Sequence, residues 1–368
     1  MTTTDLRHMD AALSLAARGL GRTWPNPAVG CVLVRDGAVV GRGWTQPGGR
    51  PHAETEALAR AGALAAGATA YVTLEPCNHY GKTGPCSLAL IEAKVARVVV
   101  ACQDPDPRVA GGGLRRLRDA GIAVVTGVRE AEALALNEGF FNRIQHARPL
   151  LTLKLATTLD GRIATRTGAS QWITGPTARA WGHRLRATHD AIMVGIGTAL
   201  ADDPDLTCRL PGLEDRSPIR VVVDSALRLP VVSRLAATAR AVPTWVVTRP
   251  DPDPEKAAAL VAAGVEIVPV AADSTGRPAP VALAAALAAR GLTRVLVEGG
   301  ATLAGALLEA GLVDRLEWFR AASLIGGDGL PAVAGFGVAT LDRMARFDRT
   351  ALRVAGDDVA ESYRRRAR

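Results

Sequence analysis

The chain has 368 residues, 48% hydrophobic and 22% charged, with a formal net charge of +8. That length exceeds one ordinary domain and points to two, and the hydrophobic content excludes a largely disordered chain. The longest apolar runs, such as Val98 to Ala101 and Val221 to Val223, have strand length and fall well short of the ~20 residues that span a bilayer. Among the basic residues only Lys82, Lys94, Lys154 and Lys256 are lysines, and the arginines are scattered apart from a terminal cluster, Arg364 to Arg366. This balance favours anionic ligands without implying nucleic acid, and an aromatic content of 4% offers little for base stacking. Met1 to Asp10 lacks the apolar core of a signal peptide. Cys31, Cys102 and Cys208 sit in apolar segments and read as packed thiols suited to a reducing compartment. A cytoplasmic protein with no membrane partner is expected.

In chain order, Asp10 to Gly19 has helical periodicity and stops at a glycine. Val29 to Val34 and Ala38 to Trp44 read as strands around the turn Arg35-Asp36-Gly37. His52 to Ala66 is helical and Ala70 to Leu74 a strand; Cys86 to Ala93 is a helix and Val95 to Ala101 a strand. A helix over Gly113 to Ala120, a strand over Ile122 to Thr126 and a helix over Glu130 to Phe141 complete this part. A hairpin followed by βαβ units implies a mixed sheet with helices on its faces. The rhythm changes around Gln145 to Pro149, which places the domain boundary between residues 147 and 148. Beyond it a strand begins at Leu150, and strands are expected at Ala191 to Gly195, Ile219 to Asp224, Thr244 to Thr248, Glu266 to Val270 and Arg294 to Val297. Helices are expected near Thr177 to Arg186, Pro254 to Ala263, Val281 to Arg290 and Leu303 to Ala310. Late strands are expected near Arg315 to Ala322, Ala345 to Ala355 and Val359 to Arg364, with a glycine-rich loop at Leu324 to Phe336.

The most informative motif is His52-Ala53-Glu54, followed by Pro76-Cys77 and then Cys86. One His and two Cys close three corners of a tetrahedral zinc site and leave the fourth for water. The order H-x-E…P-C…C is the signature of zinc-dependent nucleobase deaminases. Zinc so held lowers the pKa of water toward ~7, and Glu54 is placed to move that water's protons without binding the metal. Such deaminases usually have two residues between the cysteines, whereas Asn78 to Pro85 intervene here. A purely structural zinc site would want a fourth protein ligand. His79 is the candidate, but two residues after Cys77 it is read as facing a substrate instead. A zinc-stabilised nucleic-acid binder is the rival from another class, and it lacks the clustered lysines it would need.

Pro25-Asn26-Pro27-Ala28-Val29-Gly30, Pro51 to Glu54, Tyr71 to His79, Gly81-Lys82-Thr83 through Cys86, and Asp104 to Pro107 followed by Gly111 to Gly113 carry a wider resemblance. They resemble the bifunctional riboflavin-biosynthesis deaminase/reductases. The resemblance implies a cytidine-deaminase-like first domain that hydrolytically deaminates a phosphoribosyl-aminopyrimidine. By position, Asn26 would contact the pyrimidine, Lys82 the phosphate, and His79 the substrate. Thr45 stands where the family commonly has His, and Gly84 where it commonly has Pro. A deaminase of free bases, nucleosides or tRNA is the nearer rival, and the long loop between the cysteines argues against it.

In the second domain Val297-Glu298-Gly299-Gly300-Ala301 reads as a strand, a glycine turn and a helix, a layout that lets backbone amides approach a pyrophosphate. Lys154 to Gly161, Ser170 to Thr174, Gly195 to Thr198 and Asp202 to Thr207 resemble the reductase half of the same family. That half implies a dihydrofolate-reductase-like α/β domain that uses NADPH. Carried over by position, Ala156, Trp172, Thr198, Asp202, Gly300, Ala301, Thr302, Leu303, Ala304, Gly305 and Ala306 would contact the dinucleotide. Ser170, Arg186, Leu206, Arg209 and Glu298 would hold the substrate, the arginines being natural partners for its phosphate. Lys154 and Asp202 are the candidate proton donors. Residues 1–147 are thus expected to be a zinc deaminase and 148–368 an NADPH reductase, acting in sequence on one small molecule, with homo-oligomerisation through the reductase half.

Overall fold

The structure, a computed structural model, describes residues 2–81, 84–107 and 110–366. The chain divides into two compact units, Met1–Ala147 and Arg148–Arg368. In the first, Thr2 and Asp5 form a reciprocal capping box, so α1 (Thr3–Ala16) starts well before Asp10, where apolar periodicity begins. β1 (Gly30–Arg35) and β2 (Ala38–Trp44) turn through Asp36 and Gly37, both at positive φ as the tight hairpin turn requires. Then follow α2 (Ala53–Ala61), β3 (Thr69–Val72), α3 (Cys86–Glu92), β4 (Arg97–Val100), α4 (Gly112–Asp119) and β5 (Ala123–Thr126). The sheet order is β2-β1-β3-β4-β5, antiparallel at β2/β1 and β1/β3 and parallel beyond.

The pairing shows which face each helix takes. Cys31 pairs with Gly43 and Leu33 with Gly41, so these four share one face, and Gly30 and Val32 lie on the other. A Cβ at Gly43 or Gly41 would collide with the α2 backbone at Ala53 and Ala57, whereas one at Gly30 would collide with α1 at Ala12. The two helices therefore cover opposite faces, and β1 is buried on both, which explains a run of Cys, Val and Leu without alternation.

Where periodicity predicts one helix over Glu130 to Phe141, there are two, α5 (Glu130–Leu136) and α6 (Glu138–His146). Buried Asn137 breaks them apart, because its amide bonds both the N–H and the C=O of Ala28 at 2.9 Å. A long-range pair of hydrogen bonds outweighs the local preference there.

The second unit contains β6 (Leu150–Thr157), β7 (Arg162–Ala164), α7 (Pro176–Ala187), β8 (Ala191–Gly195), α8 (Ile196–Asp202), β9 (Ile219–Val223), α9 (Arg234–Ala237), β10 (Thr244–Thr248), α10 (Pro254–Ala263) and β11 (Glu266–Pro269). It continues with α11 (Pro280–Ala289), β12 (Arg294–Gly299), α12 (Ala301–Glu309), β13 (Val313–Arg320), β14 (Leu330–Pro331), β15 (Phe347–Ala355) and β16 (Asp358–Arg365). Nine strands form one sheet, β11-β10-β9-β8-β12-β6-β13-β16-β15, parallel except at its last two pairings. β7 and β14 pair separately, so the glycine-rich stretch contributes a short strand. Helix α8, over residues for which no helix is expected, follows β8 directly. β12 runs past Val297 and carries Glu298 to the strand end.

Between α7 and β8, His189 is fully buried; its Nδ1 lies 2.7 Å from Leu185 O and its Nε2 3.0 Å from Thr152 Oγ1. A carbonyl can only accept, so Nδ1 carries the proton and Nε2 accepts from the threonine. Burial, with Arg294 nearby, pushes its pKa down to about 3. The ordinary value is near 6.5, so the unfolded chain binds a proton here that the folded chain refuses, and stability falls as pH drops from about 6.5 toward 3. Between pH 7 and pH 5 the intact protein should lose about 2 kcal/mol that His189→Gln does not lose. Chemical denaturation of both proteins at the two pH values measures this, and equal losses would refute it. Asn137→Ala, which orphans both Ala28 groups, should cost about 2–4 kcal/mol, read as a lowered urea midpoint of the first unit.

Candidate active sites

In the first unit two helix starts converge. His52 is the residue before α2, Glu54 lies in that helix's first turn, and Cys86 is the first residue of α3. Cys77 follows β3. His52 Nδ1 lies 3.7 Å from Cys77 Sγ and 3.4 Å from Cys86 Sγ. The three ligand atoms all fall within 4.8 Å of one another. A tetrahedral zinc with Zn–S of ~2.3 Å and Zn–N of ~2.0 Å needs ligand separations of roughly 3.5–3.8 Å, so the donor set and its spacing fit zinc.

The electrostatics are those of a site built for a cation. The Cys86 side chain and amide (N to Cys77 Sγ, 3.3 Å), together with His52, hold the Cys77 thiol down to about 4. Hydrogen bonding to Cys77, with burial, pushes Cys86 up. Zinc ligation takes the cysteines as thiolates, so metal binding here would release protons. Glu54 is buried and its carboxyl is pushed up to about 7 by desolvation and the Cys77 charge. It lies beside the candidate ligands.

Around this cluster, Asn26 Nδ2 donates to Gly49 O at 3.1 Å. Gly49 has φ +81°, and a Cβ there would sit 2.0 Å from Asn26 Nδ2, so only glycine lets the Asn26 amide occupy this place. His79 is half-buried, with Nδ1 buried and unpartnered among the described residues. Thr45 is buried, and its hydroxyl accepts from Val29 N at 3.0 Å, an internal bond that turns it away from a ligand. Lys82 lies outside the described residues.

In the second unit the carboxyl ends of the adjacent strands β8, β12 and β6 gather the expected residues. Glu298 accepts from Arg186 Nε (2.7 Å) and Nη2 (2.9 Å), and Lys154 Nζ lies 3.7 Å away. Against the burial that would raise it, Arg186 and Lys154 hold the Glu298 carboxyl down to about 2. Arg186 Nη1 donates to Thr207 O at 2.9 Å. His183, one turn earlier on α7, accepts from Arg209 N at 3.2 Å, and burial with the two arginines lowers its pKa. Sequence reasoning missed His183; its i, i+3 relation to Arg186 on α7 is the signal that points to it.

Two glycines, Gly299 and Gly300, lead into α12. Gly300 stands at φ +94° with no side-chain cap on α12, and a Cβ at Gly299 would lie 2.9 Å from Thr198 Cγ2. Gly300 brings no side chain to cap the first amides of α12, at Ala301 to Leu303, and Ala304 to Ala306 continue the same helix. Such a start fits a dinucleotide pyrophosphate. Thr198 and Asp202 lie on α8, with Asp202 exposed at its end; Ala156 is on β6 and Ser170 half-buried in the loop before α7. Trp172 is exposed, with the Arg179 guanidinium 4.7 Å above its ring. Leu206 is buried at φ +54°, so any contact to a ligand there is through its backbone. Arg209 is half-exposed and shares Asp205 with Arg234.

Comparison with known proteins matches these two units separately. Residues 2–102 match the cytidine and deoxycytidylate deaminase zinc-binding region, and residues 149–360 the RibD C-terminal domain. The riboflavin biosynthesis protein RibD of Escherichia coli is 44% identical over 96% of this chain and 98% of its own length. Acinetobacter baumannii RibD superposes with a TM-score of 0.88 at 37% identity, covering 99% of each chain. A diaminohydroxyphosphoribosylaminopyrimidine deaminase/5-amino-6-(5-phosphoribosylamino)uracil reductase of Thermotoga maritima does so at 0.86 and 33%, covering 98% of this chain and 99% of that one. With a zinc-type triangle in one unit, a glycine-cradled helix start in the other and relatives aligned end to end, the chain belongs to the RibD family of riboflavin-biosynthesis proteins.

Proposed function

We propose that this chain catalyses two consecutive steps of riboflavin biosynthesis. Residues 1–147 deaminate 2,5-diamino-6-(5-phosphoribosylamino)pyrimidin-4(3H)-one hydrolytically to 5-amino-6-(5-phosphoribosylamino)uracil, and residues 148–368 reduce its ribosyl group to ribityl with NADPH. The observation that carries the reading is the His52–Cys77–Cys86 triangle with buried Glu54 beside it. His52, Cys77 and Cys86 would hold zinc, which when bound supplies the Lewis acidity that makes water a nucleophile at neutral pH. Glu54 takes one proton from the attacking water at its carboxylate and delivers it to the ring nitrogen, then takes the second from the added hydroxyl and passes it to the amino group, which leaves as ammonia as the C–N bond breaks and the carbonyl forms. Asn26, oriented by Gly49 O, holds the pyrimidine, with His79 beside it, and Lys82 meets the phosphate.

In the second unit Ala156, Trp172, Thr198, Asp202 and Gly300 to Ala306 would hold NADPH, which when bound supplies the hydride for C1 of the sugar. Lys154 protonates the sugar oxygen as the ring opens: its ammonium is mostly buried between Glu298 and the Phe319 ring, whereas Asp202 is exposed. Arg186 acts on the substrate chiefly by fixing Glu298, and Arg209 is the cation left for the phosphate, with Ser170 and the Leu206 backbone lining the same site. Assembly through the reductase unit is supported by the edge strand β15, which leaves Leu352 and Val354 exposed. The five free cysteines suit the cytoplasm, and no helix among the described residues is long and apolar enough to cross a membrane.

Glu54→Ala should abolish deamination, lower bound zinc little, and leave reduction of supplied deaminated intermediate unchanged; loss of both activities in a folded protein would sink the two-site reading. Lys154→Met should lower reduction by ~10²–10⁴-fold with deamination intact, measured as NADPH oxidation against ammonia release. Reduction within threefold of the parent would remove Lys154 from the proton-donor role.

A further inference from the structure

Helix α4 begins at Gly111, which stands at φ +81° and brings no capping side chain. Its cap comes from a distant residue. Glu75 Oε1 accepts from Gly113 N (2.9 Å) and Leu114 N (3.2 Å), and Oε2 accepts from Gly111 N (3.0 Å) and Asp104 N (3.3 Å). Glu75 is 3% exposed, so its charge is answered by these four amides. Gly113 sits so close to the same segment that a Cβ would lie 2.0 Å from Pro76 O. On the other side of Cys77, Asn78 Oδ1 accepts from Arg116 Nη1 of α4 (2.8 Å) and from Ser87 Oγ of α3 (3.0 Å). Ser87 N in turn donates to Cys77 O at 3.2 Å. Both residues flanking Pro76-Cys77 are thus tied to α4, and Asn78 also ties α4 to the residue after Cys86.

We propose that α4 is a positioning element for the metal centre. Glu75, Asn78 and Arg116 hold the Cys77 corner in ligand geometry before a metal arrives, and so set the affinity of the site for zinc. None of the three is itself a ligand, and the inference rests on the zinc reading of His52, Cys77 and Cys86. Outer partners that orient metal ligands typically govern affinity by 10–100-fold, and here they orient the backbone that carries the ligand.

The test compares the full-length protein with Arg116→Met, Arg116→Lys and Glu75→Gln. Zinc affinity is read by competition with a chromogenic chelator, thermal unfolding by calorimetry on the metal-free proteins, and folding of the second unit by its NADPH-dependent turnover. Arg116→Met should bind zinc about 10–100-fold more weakly with metal-free unfolding unchanged. Arg116→Lys, which keeps a donor, should recover part of the loss, and added zinc should restore deamination in both. Glu75→Gln should weaken zinc as much or more; if it does not fold, Arg116→Met decides. Zinc affinity within twofold of the parent in a folded Arg116→Met overturns the positioning role while the parent's own zinc leaves the site reading standing. A loss of affinity matched by an equal loss of metal-free stability also overturns it, since α4 would then serve the fold alone. A parent protein that binds no zinc removes the site reading, and this inference with it.

Discussion

Taking a charge out of water costs several kcal/mol unless opposite charge or directed dipoles replace the lost hydration. Both sites of this chain are organised around groups that meet that constraint. In the first unit Cys77 lies against the amide that opens α3, and Glu75 takes four amides around the start of α4. In the second, Glu298 is gripped by Arg186 from two directions with Lys154 beside it. Asp190 accepts from Thr293 N, Thr293 Oγ1 and Arg294 N, which fixes the start of β12, the strand that carries Glu298. Even Arg220, buried in mid-strand of β9, finds carbonyls at Asp205, Leu235 and Val242 and the Thr238 hydroxyl. Through Asp205 it anchors the turn that precedes Leu206 and Arg209.

This constraint also decides among arginines that look equivalent in sequence. Arg186 and Arg209 both suit a phosphate by type. Arg186 has given Nε and both terminal nitrogens to Glu298 and Thr207, and freeing it would leave a buried carboxylate uncompensated. Arg209 holds only an exposed pair with Asp205, and such pairs are worth about 0–1 kcal/mol. An incoming phosphate can take Arg209 at little cost and Arg186 only at great cost.

What was legible in the sequence is what local pattern encodes. The hairpin at Asp36-Gly37, the H-x-E and P-C spacing and the strand–Gly–Gly–helix turn each follow from residues near one another along the chain, and each has its counterpart in the structure. The failures share one cause. The break at Asn137 serves Ala28, more than a hundred residues away, and the cap of α4 is Glu75, 38 residues before Gly113. Neither leaves a periodicity to read. Helix α8 was not expected either, and Gly195, in extended conformation, is the residue preceding it. The Arg186 pairing was likewise invisible, because Glu298 lies 112 residues away along the chain.

The eight residues between Cys77 and Cys86 raise a physical question, since the two-residue spacing usual in zinc nucleobase deaminases would let one helix start carry both sulfurs. Here Cys77 lies before the loop and Cys86 opens α3, yet the α3 amide still reaches the Cys77 sulfur at 3.3 Å. Lengthening a loop from two residues to eight is two doublings, which adds only about 1.2 kcal/mol of closure entropy. A hydrogen bond from a charged donor contributes about 1.5–3 kcal/mol, so the single Arg116–Asn78 bond offsets the added length. The long loop therefore does not loosen the ligand triangle, provided its first residue is anchored. Asn78 is that residue, and the anchor is α4.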